Sequence, residues 1–267
     1  MKDEVGEPVD VGQTGEAVEV VEPVSIWARP ERPVRASRRS SPGPNRSFSR
    51  SQITAAAIRI ADAEGLEAAS MRRIAADIGA GAMTLYRYVP HREDLVELMI
   101  DEVAGEMDFD GKSFGGWREA LTEIAVQRRA LWLKHPWLAT RMPGHPIWGP
   151  NTLRQLEFTL SVFDGHDLPV DELTGLYTLL SSYVEGFARD EVGWDQEALH
   201  THVDMREWMR RSAPYARELV ASGRYPRFSR MLHETVTAHL EPDARFHEGL
   251  ERVMDAIQAW LPESAPS

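Results

Sequence analysis

From about residue 50 the apolar positions of the chain recur at helical intervals. Ile53, Ala57 and Ile60 fall at i, i+4 and i+7, and Gly65 suits the stop that follows them. Ser70 can cap a second helix, because its hydroxyl accepts an otherwise orphaned backbone N–H. Met71, Ile74, Ala75 and Ile78 then share one face, and Gly79 can adopt the positive φ that ends such a helix. A third short helix is predicted over 82–89 and is stopped by Pro90. Glu93 and Asp94 favour the first turn of a fourth through the helix dipole, and Leu95, Leu98, Met99 and Val103 give it an apolar side.

Residues 107–116 break the pattern and read as a loop or hinge. Further helices are predicted over 117–134, 149–163, 170–192, 196–221, 226–240 and 243–261. Breaks fall at Pro136, Pro143-Gly144, Gly149-Pro150, Gly165, Gly193, Gly223 and Pro242. No segment reads as a strand and no internal repeat is present. The expected fold is all-α, with a small N-terminal unit at 48–106 and a larger helical one at 117–262.

Ahead of these units, residues 1–47 have no sustained apolar period and read as a disordered tail. Its first 24 residues hold seven acids and one base, whereas residues 29–50 hold seven arginines and one acid. The basic half is either a solvated tail or an arm that follows DNA phosphates or a minor groove. The chain as a whole carries a net charge of −12. That total weakens non-specific DNA affinity, but a local basic face decides specific binding.

The absence of cysteine excludes disulfides and thiolate metal sites. No apolar run is long enough for a transmembrane helix, and the acidic start lacks the core of a secretory signal. A cytoplasmic protein without membrane contact is expected.

The pair of short helices around Gly79, followed by an aromatic-rich stretch, has the layout of a DNA-reading helix-turn-helix. The second helix of such a pair presents its N-terminal residues to base edges in the major groove. Here these are Gly81, Ala82, Met83 and Thr84. The first two permit close approach, Met83 can touch a thymine methyl, and Thr84 can bond a base or phosphate. Arg87 and Arg72 can reach the groove, and a guanidinium pairs bidentately with guanine. Tyr86 and Tyr88 offer hydroxyls to phosphate, with Tyr88 equally readable as core, and Arg92 sits where a cation would meet the DNA backbone.

Residues 50–106 resemble the N-terminal domain of the TetR family of transcriptional regulators. The matching landmarks are Ala63 to Gly65, Ser70 to Arg72, Ile74-Ala75, Ile78-Gly79, Thr84 to Tyr86, Tyr88-Val89 and Arg92 with Leu95. The resemblance implies DNA contacts from Ser70, Arg72, Thr84, Tyr86, Tyr88 and Arg92, with Arg72 reading a base. Ala82 and Met83 depart from it, since neither donates a side-chain hydrogen bond, so an operator sequence does not carry over. The C-terminal part resembles the tetracycline-repressor type of ligand domain through Phe246 to Met254 and Trp117 to Leu121.

That resemblance implies a homodimer, a palindromic double-stranded DNA operator and a small-molecule effector that releases it. Two helical stripes stand out as candidate dimer surfaces: Leu180, Val184 and Phe187 on one, Leu250, Val253, Met254 and Ile257 on the other. Read alone, either stripe is more often internal core than an interface. Aromatic and polar residues concentrated between 130 and 180 suggest an effector pocket built from Trp132, Trp137, Met142, His145, Trp148, Phe158 and Tyr177. The bland alternative is an ordinary aromatic core.

His200, His202 and Asp204 diverge on a helix and make a poor metal site. No catalytic or nucleotide fingerprint occurs, so neither enzyme activity nor a cofactor or metal is expected. The expected function is a ligand-responsive repressor, the alternative a constitutive DNA-binding regulator or activator whose C-terminal domain only dimerises.

Overall fold

A computed structural model describes residues 25–29, 48–109, 111–140, 144–234 and 241–262. Among these residues every regular element is a helix. The small unit holds α1 (Arg50–Glu64), α2 (Met71–Ile78) and α3 (Ala82–Leu85), and α4 (Arg92–Ala104) leads out of it. The larger unit holds α5 (Trp117–Lys134), α6 (Pro150–Ser161), α7 (Val170–Thr201), α8 (Met205–Ala221), α9 (Pro226–Glu234) and α10 (Pro242–Trp260).

Local chemistry accounts for the boundaries of the small unit. Ser49 and Gln52 form a reciprocal capping box at the start of α1. The Ser70 hydroxyl accepts from the Arg73 amide at the start of α2. Gly79 ends α2 at φ 70°, a left-handed conformation that a Cβ would strain. Ile53, Ile60, Ile74, Leu85, Val89 and Leu95 converge as its core. The third helix is shorter than the predicted 82–89. After Leu85 the chain tightens into i+3 bonds, with the Arg87 amide donating to the Thr84 carbonyl and the Tyr88 amide to that of Leu85.

One predicted break is absent. Helix α7 runs without interruption through Gly193 to Thr201. A helical glycine costs about 1 kcal/mol relative to alanine, and the neighbouring Ala188 and Val192 are buried. Trp194 meets the edge of Trp208 from α8, with ring centroids 5.8 Å apart. The helix stops at His202, which takes a left-handed φ of 55°, and Asp204 caps α8 by accepting from the Glu207 amide. His202 and Asp204 therefore serve helix ends.

The predicted tail is interrupted by an ordered piece. Ser25–Arg29 form a single 3₁₀ turn that buries Ile26 completely. Arg50 of α1 donates to the carbonyls of Ile26 and Arg29, while Arg29 pairs with buried Asp94 of α4 at 2.9 Å. This strap thus binds the front ends of α1 and α4 together.

The stripes predicted as dimer surfaces face inward within one chain. Leu180, Val184, Leu250, Met254 and Ile257 are buried in the intramolecular core, and Phe187 and Val253 are half-buried against it. The cause is the packing of α7 on both α5 and α10. Arg129 of α5 strengthens that junction. It forms a double hydrogen bond with Glu191 of α7, pairs with Asp243 at the start of α10, and lies 4.8 Å from the Phe246 ring centre.

Candidate functional site

Two sites emerge from this arrangement, an exposed helical face and a cavity, and α4 lies between them. The face is built by α2 and α3. Burial of Met71, Ile74 and Ala75 points the opposite side of α2 outward, which leaves Arg72 exposed. Burial of Leu85 and Val89 does the same beyond the turn. Met83 is 79% exposed and Tyr86 45% exposed, and Arg87 is exposed beside them. Gly81, Ala82 and Thr84 form the narrow front of this face.

The charges around the face divide into two groups. Arg59 and Arg73 are held by the carboxylates of Asp77 and Glu64. Arg92 turns inward, where it donates to the carbonyls of Leu66 and Ala69 and pairs with Glu67. Its first role is therefore to fix the turn before α2. Tyr88 is only 5% exposed and its ring belongs to the core, so it lies off the outward face. Arg72 and Arg87 make no ion pair with a described carboxylate.

The cavity occupies the larger unit and has a volume of about 500 Å³. Helix α4 supplies Ile100, Val103 and Ala104 to its wall, α5 supplies Arg128, Leu131 and Trp132, and α6 supplies Thr152, Gln155 and Leu156. Four predicted residues line it. Trp132 and Tyr177 lie within, while His145 and Trp148 sit on the exposed loop at its mouth.

Two other predictions are corrected. Trp137 lines a different cavity, of about 810 Å³, shared with Ala61, Leu133 and Val192, and its indole N–H donates to Asp62 at 2.8 Å. Phe158 stacks on Phe109 at 4.4 Å and does not line the cavity. Met142 lies outside the described residues. The polar members Arg128, Gln155 and Glu185 were not anticipated. Arg128 did leave a signal: it falls on the i, i+3, i+4, i+7 stripe of Leu121, Ile124 and Ala125, where a charge has no solvent to meet.

Helix α4 touches both sites through buried polar groups. Asp101 accepts from the backbone amides of Asn151 and Thr152 at 3.0 and 2.9 Å, and so caps α6 from another helix. Gln155 donates to the Ala104 carbonyl at the end of α4. Gly149 is what lets Asp101 approach. A Cβ there would lie 2.1 Å from the Asp101 carboxylate and 2.6 Å from the Trp27 ring of the strap.

At the cavity mouth His145 comes within 3.7 Å of Glu97 on α4. Burial pushes the Glu97 carboxyl up, while the charge of His145 pulls it down.

A second junction joins the units through His135. It is fully buried. Its Nδ1 lies 2.7 Å from Asp62 of α1 and its Nε2 3.3 Å from Glu106. Burial alone would raise the Glu106 carboxyl, but hydrogen bonds from Lys134 and His135 outweigh it and hold the group below its ordinary range.

With this geometry in place, comparison with known proteins is informative. Residues 53–99 match the family described as bacterial regulatory proteins, tetR family, and residues 110–261 match the tetracyclin repressor-like C-terminal domain. The HTH-type transcriptional repressor DrrR1 of Streptomyces coeruleorubidus is 35% identical over 234 residues, covering 86% of each chain. The TetR family protein ActR of Streptomyces coelicolor, crystallised with (S)-DNPA, superposes with a TM-score of 0.68 at 26% identity. That likeness covers 81% of this chain and 100% of ActR. ActR with actinorhodin gives a TM-score of 0.66 at 25% identity, covering 82% and 99% of the two chains. No helix among the described residues is long and apolar enough to cross a membrane.

Proposed function

The chain belongs to the TetR family of transcriptional regulators, and from that premise we propose that it is a dimeric repressor released from a palindromic operator by a small molecule. Its DNA surface is the outward face of α2 and α3. Arg72 and Arg87 supply charge unpaired with any described carboxylate, Tyr86 and Thr84 supply hydroxyls, and Met83 supplies an apolar tip. Ser70 holds the front of α2, while Gly81 and Ala82 keep α3 slim enough to approach the groove. Arg92 acts behind this surface.

The dimer surface shifts from the inward stripes to what the single chain leaves uncovered. Leu179 on α7 and Trp260 on α10 are exposed, and α8 and α9 bury no residue despite carrying Trp208, Met209, Tyr215, Met231 and Leu232. Such apolar exposure marks an interaction surface. A twofold axis there would set two recognition helices about 34–36 Å apart, one turn of DNA.

The observation that carries the regulatory part is the bond between Asp101 and the amides of α6. Helix α6 walls the cavity and α4 supports the DNA head. A ligand that displaces α6 must either break that bond or drag α4 with it. The bound and free arrangements then differ in the angle of the head, which is what coupling between two sites requires. In the relatives, ActR is a ligand-bound TetR protein and DrrR1 is a repressor, and both support this reading.

The test starts from the DNA upstream of the protein's own gene. The purified protein should shift a short inverted repeat from that region, and a cavity ligand found by thermal-shift screening should release it. Binding that no cavity ligand relieves would assign the larger unit to dimerisation alone.

A further inference from the structure

We propose that the effector is a flat aromatic acid whose anionic group is received by Arg128. The proposal rests on the cavity being the effector site. Arg128 lines that cavity and is only 7% exposed. Its Nη1 donates to the neutral Ser181 hydroxyl at 2.6 Å, and its guanidinium carbon lies 5.7 Å from the centre of the Tyr177 ring. No described carboxylate comes within ion-pairing distance of it.

The adjacent residue shows how this fold treats a buried guanidinium when it is structural: Arg129 is met by Glu191 and Asp243. Arginine cannot shed its proton to escape burial. A cation enclosed beside an apolar chamber, bonded to a neutral hydroxyl with no described carboxylate within ion-pairing distance, is a place for an incoming anion.

Three other titratable groups line the chamber, Glu185, His145 and Tyr177. Burial moves the Glu185 carboxyl upward, against the pull of Arg128 and Arg189. Arg128 keeps its charge whatever is bound. His145 stands at the exposed mouth, already close to Glu97. Trp132, Trp148 and Tyr177 supply flat walls, and about 500 Å³ accommodates several fused rings.

Calorimetric titration of the full-length protein with three probes tests this: anthraquinone-2-carboxylate, anthraquinone-2-carboxamide and 2-(aminomethyl)anthraquinone. The carboxylate should bind at least about tenfold more tightly than the neutral amide, a difference of ~1.4 kcal/mol. Arg128→Gln should reduce the carboxylate to the level of the amide without altering amide binding, and Arg128→Lys should retain part of the preference. The comparison on the unmodified protein decides the matter even if a variant fails to fold. Equal binding of carboxylate and amide overturns the acid assignment and leaves the cavity reading intact. Tightest binding of the ammonium probe overturns it in favour of a cationic ligand on Glu185. Failure of all three to bind removes the cavity reading together with the proposal.

Discussion

Individual side chains divide here into those with partners and those without, and the division predicts different consequences of mutation. Arg72 is exposed and bonded to no described carboxylate, so removing it costs the fold nothing. Arg72→Ala should leave the thermal midpoint unchanged while weakening operator binding by about 1–3 kcal/mol. Fluorescence anisotropy beside a circular-dichroism melt checks both halves. Arg92 should behave in the opposite way. Arg92→Ala removes the cation bonded to the Leu66 and Ala69 carbonyls, so the melting midpoint should fall along with DNA affinity.

Glu106 gives a prediction in pH. Its folded-state carboxyl titrates below its unfolded value, so the unfolded chain binds the proton more readily. The contribution is complete above the unfolded pKa of about 4.3 and is lost as pH falls through the folded value. Glu106→Gln should therefore lower stability at neutral pH and flatten the acid limb of a stability-against-pH curve from chemical denaturation. An unchanged acid limb would show that the His135 junction contributes nothing.

At the scale of elements, the junction of the strap, α4 and α6 is the most sensitive point. Gly149→Ala forces a methyl into the space of Asp101 and Trp27. Overpacking of this kind typically costs about 1–3 kcal/mol, and the variant should also need more ligand to release DNA. Urea denaturation and a release titration report the two effects separately; a loss of stability with an unchanged release midpoint would remove this junction from the switch.

The same scale shows what could be read from the sequence. Helix periods, the Ser70 cap and the Gly79 stop placed the small unit because each is local. Gly193 misled because a local preference of about 1 kcal/mol yields to tertiary packing. Leu180, Val184, Leu250 and Met254 were visible as stripes, but a stripe reports that a face is buried and not by what. Ile26 left no trace, since a three-residue turn is too short to show a period. His135 was unreadable for a related reason: its two carboxylate partners lie 73 and 29 residues away.

Across the whole molecule, a chain with a net charge of −12 sets exposed Arg72 and Arg87 together on one small face. Operator affinity should then fall steeply with salt, because each neutralised phosphate releases counterions. The larger unit leaves α8 and α9 without buried side chains, and a second copy would cover them. Sedimentation of the Trp208→Glu, Met209→Glu double variant should show dissociation towards monomer with folded helices retained; an intact dimer would place the interface elsewhere.

The central claim is that two identical heads read DNA from one side, one turn apart. It is tested most directly by inserting five base pairs, half a helical turn, at the centre of the operator and titrating the labelled duplex with pure protein. The half-sites then face opposite sides of the DNA, and binding should fall by at least about a hundredfold, ~2.7 kcal/mol. Affinity that ignores the insertion would mean that the heads do not act as a fixed pair.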